Sequence, residues 1–554
     1  MNSVGPRLRR AAGGDLPAAI RRRLAPLDHR LDPYAWIATV VVVTIAALLR
    51  LIGLAHPPGK TFDELYYATD AHNLIERGYE WDEKNNTAAY VVHPPLGKWM
   101  IALGELTFGY NEFGWRIAAA TVGTLMVLIL TRLAQRLFRS TVLGCAAGLL
   151  LALDGFHLVL SRFALLDVFV AFFVLAAFAA LVVDRDTRRR NWLSAVTGGL
   201  DPGLPGRAGR PRLGVPWWRL LAALLLGCGI AVKWSALYFV PAFGLLVLLW
   251  EVGVRRSAGA RRPWRETLRT ETGWLVLCLP VMLATYLASW SGWLLTDGGY
   301  LRHYRADNGM SEPPVIGALL NLWHYHQQSY SFHTTLVSEH PFQSWPWQWL
   351  LLGRPVSLYS TDQVSCAAEN CLGAVLLLGT PLLWWSFLPA LAALAWLGLA
   401  RRDWRAGAIL LGVTAGLLPW FYYALDGRTM FTFYTAPALP FLVLAVTYVL
   451  GAIATPAELS APAPTSAEPA PEAPTPAAEA AVVRSGVAPP SGAPGIVLDR
   501  RMPAEDRRTV GAVVVGTYVL LVALCFAYFY PIFVGEPIPY DDWLARMWLG
   551  PRWY

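Results

Sequence analysis

The sequence predicts an all-α polytopic membrane protein, and three observations carry that reading. Only 15% of its 554 residues are charged, while 55% are hydrophobic. Soluble domains average about 25% charged residues, so a soluble chain of this length would lack the charge to cover its surfaces. Apolar runs near the ~20 residues needed to cross a bilayer recur along most of the chain. Arginines gather in short clusters between those runs, as topology signals do, so the net charge of +8 does not point to nucleic acid. Secreted, cytosolic and fibrous classes are excluded.

Taken in order, the apolar runs predict eleven spanning helices, at 35–55, 113–136, 141–157, 164–183, 217–234, 236–254, 274–295, 373–399, 406–424, 431–453 and 509–533. The fifth and sixth abut at Lys233–Trp234 and admit a re-entrant hairpin. With the N-terminus in the cytoplasm, the inner segments are the N-terminal tail, 132–139, 184–219, 255–269, 401–405 and 455–508. They hold 32 of the 46 Lys and Arg, whereas the opposite orientation would translocate every cluster. The C-terminus is then extracytoplasmic. The predicted organisation is a basic cytoplasmic tail (1–34), an N-terminal transmembrane module (35–295) that includes outer loop 56–112, a second outer loop (296–372), and a four-helix C-terminal module (373–554) with an inner linker at 455–508. The Ala/Pro/Glu/Ser-rich part of that linker, 455–499, is too poor in apolar residues to fold, so disorder is expected. The basic N-terminus runs into a long span with no small-residue cleavage site, so no signal peptide is expected.

Cys145, Cys228, Cys278 and Cys525 sit inside apolar runs as packing residues. Cys366 and Cys371 fall in the second outer loop, where the redox environment permits a disulfide. That bond requires the eighth helix to start after Cys371, with Gly373 as its boundary. Within a helix, five residues make about 500° of rotation and the two side chains would diverge.

The first outer loop is the most informative stretch, reading HPPGKTFDELYYATD and later VVHPPLGKWMIALGELTFGYNEFGWR. Asp63 and Glu64 stand just beyond the first span. Adjacent carboxylates at a low-dielectric boundary are costly, and functional sites tolerate that cost. A carboxylate there can act as a general base toward a hydroxyl. The alternative is a helix N-terminus, with Thr61 as cap and the acidic residues in the first turn. Leu96, Met100, Leu103, Leu106 and Phe108 give 95–109 an amphipathic face, suited to a helix on the membrane surface that starts at Pro94 and Pro95. His93, just before it, is either a hydrogen-bonding ligand or a structural histidine.

Three cations reach the same predicted depth. Arg116 opens the second span, Arg162 falls in the outer turn between the third and fourth, and Lys233 ends the fifth. Each alone can snorkel to headgroups. Together with Asp63 they point to a site for an anionic lipid phosphate, with Arg as a planar fork and Lys as a point charge. Asp167 is placed to hold Arg162, or forms a simple intramembrane ion pair. In the second outer loop His324, His326, His333 and His340 follow one another at spacings that fit no metal motif, so no metal is expected. The Trp run at 345–349 predicts an interfacial helix. Aromatics beside polar donors suit sugar and peptide binding.

Several short motifs occur here in a fixed order: F-D-E at Phe62–Glu64, H-P-P-L-G-K at 93–98, Arg116, S-R-F-A-L-L-D at 161–167, G-x-x-x-K-W ending at Trp234, and F-H-T-T-L…H-P-F-Q-S-W-P-W…R-P from Phe332 to Pro355. This set resembles the bacterial, actinobacterial-type protein O-mannosyltransferases. These are polyprenyl-phosphate-mannose-dependent enzymes related to the eukaryotic dolichyl-phosphate-mannose–protein mannosyltransferases. The resemblance covers roughly 35–450, and the last spans resemble the family's four-helix C-terminal part. The second outer loop is too short for the β-trefoil domain of the eukaryotic members.

The resemblance implies a GT-C glycosyltransferase fold in the plasma membrane, with no cofactor and no nucleotide sugar. It implies transfer of mannose from the lipid phosphate to Ser or Thr of secreted or membrane proteins at the extracytoplasmic face, with the translocation machinery as a candidate partner. By the same resemblance 35–295 is the catalytic module, Asp63 the general base and Glu64 a second site carboxylate. Arg116, Arg162 and Lys233 are then donor-phosphate ligands or structural charges, and His93, Asp167, His326, His333 and His340 shape the substrate sites or support them. The chemistry is coherent: a polyprenyl phosphate leaves as an anion and needs cations more than a proton, while a hydroxyl nucleophile needs a base. One carboxylate and a cationic clamp therefore suffice for direct displacement with inversion. The rival reading is another GT-C enzyme that moves an arabinose-type sugar to a lipid or cell-wall glycan. A transporter fits less well, because the ionisable residues gather at the outer boundary and no paired discontinuous helices are apparent.

Overall fold

The protein was analysed as a computed structural model, which describes residues 18–27, 33–454 and 504–553. Most of the basic tail, and the linker up to residue 503, lie outside the described residues.

Within the tail, α1 (Ala18–Leu24) seats Leu24 against Trp192, Val196, Val254 and Ala258. α2 (Tyr34–Leu51) is the first long apolar helix. The first outer loop folds as α3 (Glu64–Arg77), a short hairpin of β1 (Trp81–Asp82) and β2 (Thr87–Ala88), and α4 (Leu96–Phe108). Gly78, at φ +82°, ends α3 in the left-handed conformation that suits glycine. α4 buries Lys98 and Glu105 while exposing Leu103, Leu106 and Phe108, the amphipathic pattern read from the sequence. It crosses α5 (Glu112–Phe138) at Gly104 and Gly114, where a Cβ on Gly104 would lie 2.2 Å from the Gly114 carbonyl oxygen. α6 (Thr141–Ala152) and α7 (Gly155–Leu160) lead into α8 (Leu166–Thr197), then α9 (Trp217–Val232), α10 (Phe239–Ala258) and α11 (Pro263–Ser289). α8 is the central post, with 72% of its most apolar window buried against 28% for α2.

The second outer loop carries α12 (Ser291–Leu295), α13 (Tyr304–Asp307), α14 (Ile316–Thr335) and a single turn, α15 (Pro346–Trp349), at the Trp run. A three-stranded antiparallel sheet follows, ordered β3 (Val356–Thr361), β4 (Cys371–Leu377), β5 (Ile538–Pro539). The last helices are α16 (Pro381–Arg401), α17 (Trp404–Leu425), α18 (Leu439–Ala454), α19 (Ala504–Val534) and α20 (Tyr540–Ala545). The buried Asp154 carboxylate ties the two modules. It caps α7 at the His157 N–H and accepts from the Thr380 N–H and the Trp384 indole at the start of α16.

Among the described residues, eight helices are long and apolar enough to cross a membrane, and three shorter apolar helices, α6, α9 and α18, fall at other expected spans. Several boundaries differ from expectation, among them the start of the seventh span, at Pro263 and not 274, and that of the tenth, at Leu439 and not 431. The eighth span does not begin at 373, because residues 371–377 pair as β4 and α16 starts at Pro381. The fourth does not end at 183, because α8 continues to Thr197, its charged end residues paired within the protein. Cys366 and Cys371 are disulfide-bonded, with Cys371 opening a strand instead of preceding a helix. The junction at Lys233–Trp234 is a break: Lys233 is extended (φ −156°), and a 3-10 turn at Trp234–Tyr238 leads into α10.

Candidate active site

Two arginines strap the loop that delivers Asp63. Arg162 gives Nη1 to the carbonyls of Leu49, Arg50 and Ile52 and Nη2 to that of Gly53, satisfying the open C-terminal end of α2. Arg116 forks Nε and Nη2 onto the two oxygens of Glu64, at 2.9 and 2.8 Å, and bonds the carbonyls of Pro57 and Gly59 at 2.7 and 3.0 Å. Glu64 Oε1 also accepts from the Ala164 N–H, and both partners of this ion pair are fully buried. These contacts bear on three of the readings made from the sequence. Glu64 is committed to Arg116, and the hydrogen bonds of Arg116 and Arg162 run to Glu64 and to backbone carbonyls, which fits the structural-charge side of the expectation. Thr61 is not the helix cap. Asp63 occupies that position without a side-chain cap bond, and Thr61 bonds Glu64. Just before Asp63, Phe62 sits at φ +51°, a left-handed conformation that a bulky residue adopts only when its surroundings impose it.

Asp63 is half-buried. Its charged neighbours are Lys233 and Asp167, and the Tyr67 hydroxyl is its hydrogen-bond partner. Lys233 Nζ bonds both oxygens of Asp167 at 3.0 Å, so Asp167 holds Lys233 and not Arg162. The ammonium also lies 5.4 and 5.0 Å from the ring centres of Phe433 and Tyr434. Burial pushes the Asp63 carboxyl up to about 6, against the pull of Lys233 and with the repulsion of Asp167. A general base works best with a pKa near its operating pH, which this setting provides.

The histidines divide by how their ring nitrogens are used. His326 donates Nδ1–H to the Leu322 carbonyl, which leaves Nε2 to accept from Tyr286, whose oxygen in turn accepts from the Trp234 indole. Both nitrogens are engaged, so His326 supports the wall of the site. His333 donates Nε2–H to the Val92 carbonyl at 2.9 Å, leaving Nδ1 as an acceptor, and stacks on His93 at 5.2 Å between ring centres. Burial and the nearby Lys233 and Arg428 hold both rings neutral, His333 down to about 4 and His93 well below its ordinary value. The His93 side chain makes no hydrogen bond among the described residues. His340 accepts from the Phe342 N–H and meets the edges of Phe62 and Phe431.

The residue that sequence reasoning missed is Arg428. It follows α17 in a loop and is buried. It bonds the His333 carbonyl through Nε at 2.8 Å and the Thr429 carbonyl through Nη1. Its Nη2 has no partner among the described residues. Arg428 and Lys233 both repel a proton on His93, and they lie 5.7 and 5.0 Å from the centre of the Tyr434 ring. The only signal in the sequence was an arginine just past a span end, in a segment dense in aromatics (RTMFTFY).

Residues 40–206 match the family described as dolichyl-phosphate-mannose-protein mannosyltransferase, and residues 318–553 match the C-terminal four TMM region of protein-O-mannosyltransferase. A polyprenol-phosphate-mannose–protein mannosyltransferase of Mycolicibacterium smegmatis (strain MKD8) is 38% identical over 541 residues, covering 95% of this chain and 94% of its own. The protein of the same name from Corynebacterium glutamicum is 31% identical over 549 residues, covering 95% and 94%. The fold is that of the S. cerevisiae protein O-mannosyltransferase Pmt1-Pmt2 complex bound to the sugar donor, with a TM-score of 0.65 at 15% identity over 97% of this chain and 94% of that one.

Proposed function

The chain belongs to the protein O-mannosyltransferase family, and on that premise we propose that it transfers mannose from polyprenyl-phosphate-mannose to Ser and Thr hydroxyls of proteins, with Asp63 as the general base. The acceptor oxygen attacks the anomeric carbon of mannose as its proton passes to Asp63. The bond from that carbon to the phosphate oxygen breaks, and the polyprenyl phosphate leaves as an anion, with inversion. Lys233 and Arg428, not Arg116 or Arg162, take the phosphate, Arg428 through its open Nη2. Asp167 positions Lys233, and Glu64 and Arg116 hold the Asp63 loop. His93 and the Nδ1 of His333 offer neutral acceptors to sugar or peptide hydroxyls, with His340 at the rim.

The observation that carries this reading is a half-buried carboxyl near pKa 6 facing Lys233, with Lys233 and Arg428 both set against the Tyr434 ring. The reaction is placed at the extracytoplasmic face of the plasma membrane, with the N-terminus inside, the C-terminus outside and the translocation machinery as partner. The arginine asymmetry supports that orientation. The catalytic module is wider than 35–295, because Arg428 comes from the C-terminal helices. The test is transfer of label from polyprenyl-phosphate-mannose to a Ser/Thr-rich peptide by purified protein. Transfer from a polyprenyl-phosphate-arabinose donor in its place, or to lipid and not peptide, would count for the rival transferase.

A further inference from the structure

At the far end of the bundle lies a second concentration of charge that mannose transfer does not use. α8 contains both Asp167 and Arg188 without a break. At 1.5 Å per residue they lie about 31 Å apart along its axis, close to the ~30 Å hydrocarbon thickness of a bilayer. There Arg188, Arg219 and Arg255 interlock with Asp184, Glu251 and Glu271. Arg219 bonds all three carboxylates at 2.8–3.2 Å, Arg255 bonds Glu251 and Glu271, and Arg188 reaches Glu271 at 3.3 Å. All six residues are buried, and their charges cancel within the network.

Arg210 stands outside that balance. It comes from the segment between α8 and α9, and its side chain makes no ion pair or hydrogen bond among the described residues, although its Nε is buried. With Arg188, Arg255, Thr270, Trp192 and Trp274 it lines a cavity of about 250 Å³. The Nε–H of Arg255 is likewise buried without an acceptor, whereas that of Arg188 lies 3.4 Å from Glu251. Glu271 borders the same cavity and is committed to Arg188, Arg219 and Arg255. Arg210 and Arg255 therefore bring unpaired donors to the lining of one cavity, with one positive charge in surplus. Buried donors seldom stay unpaired, and an ion is a partner that resolves them. Arginine forks match phosphate oxygens. Basic pockets between membrane helices hold lipid headgroups, and tryptophans such as Trp192 and Trp274 favour the membrane–water boundary.

We propose that this cavity binds a phosphate group, supplied by the headgroup of an anionic phospholipid in the leaflet opposite the Asp63 site. The bound phosphate neutralises Arg210 and joins the ends of α8, α10 and α11, so it acts on stability and leaves the transfer chemistry alone. The test uses the purified full-length chain in neutral detergent, titrated with phosphatidylglycerol, phosphatidylcholine or inorganic phosphate, and read by thermal unfolding and native mass spectrometry. Phosphatidylglycerol is expected to raise the midpoint and stay bound, and phosphatidylcholine is not. Arg210→Gln removes a charge-assisted contact and is expected to weaken phosphatidylglycerol about tenfold or more. Arg212→Gln, which removes the same charge from an exposed neighbour, is expected to leave it unchanged. A response to inorganic phosphate that is lost in Arg210→Gln, without a response to lipid, supports the phosphate site with a soluble source. Equal binding of phosphatidylglycerol by wild type and Arg210→Gln, or equal stabilisation by phosphatidylcholine, overturns the proposal. Wild-type mannose transfer by Arg210→Gln reports its folding. Should that variant not fold, Arg210→Lys keeps the charge without the fork and is expected to bind more weakly.

Discussion

Asp63 has to be ionised to accept a proton, yet it stands beside Asp167 in a setting that favours its neutral form. Asp63→Asn is expected to lower mannose transfer about 10²–10⁴-fold with the protein still folded in the membrane. Near wild-type transfer by the purified variant would remove Asp63 from the mechanism. Because the base form is the active one and burial raises its pKa to about 6, kcat/KM should fall as pH drops through about 6 and level off above it. A profile flat from pH 5 to 7 would contradict that assignment. At this scale the sequence exposed Asp63 and Lys233, since ionisable residues stand out against apolar runs. It could not reveal what Arg116 and Arg162 bind, because their acceptors are mostly backbone carbonyls, which every residue carries. Arg428 was hidden for a related reason: one more arginine past a span end looks like a topology signal until the fold brings it to His333.

The Glu64–Arg116 fork joins α3 to α5 and closes the loop from α2, so it is a joint between elements. Arg116→Ala would leave a buried carboxylate unpaired, at a cost of about 3–5 kcal/mol. The expected result is a large drop in unfolding temperature or loss of the folded protein. Arg116→Lys should not restore it, because an ammonium lacks the planar fork. Wild-type stability in both variants would show that the strap is dispensable. The elements that sequence patterning misplaced have physical reasons. β4 is buried at every residue but Leu372, so it shows no alternation, and a short apolar run of that kind reads equally as helix or strand. The charged end of α8 (DRDTRRR) looked like an inner loop, and it stays helical because partners on α9, α10 and α11 pair with it.

For the whole molecule, the orientation predicts which sites meet the outside. Single cysteines replacing Asn86 and Asn308, both exposed, are expected to react with an impermeant thiol reagent in intact cells. One replacing Arg262, exposed between α10 and α11, should react only after lysis. Labelling of the Arg262 position in intact cells would invert the topology. Molecular architecture was the most legible level, since a bilayer demands long apolar helices wherever the chain crosses it. The small sheet was the least legible, because β5 pairs with a strand far away in sequence, and no local pattern announces that partner.

The site's wide spread along the chain, from Asp63 to Arg428, also sets an order in time. At ~5–20 residues per second, a ribosome delivers the arginine tens of seconds after the aspartate. Lys233 emerges within seconds of its partner Asp167, so that pair is complete early. For the rest of the interval the growing polypeptide carries a base without its full cationic partner, and β4 waits longer still for the last strand. If both residues serve transfer as proposed, a nascent chain lacks the complete site until the loop after α17 has been made, and the enzyme is withheld from its own earlier loops.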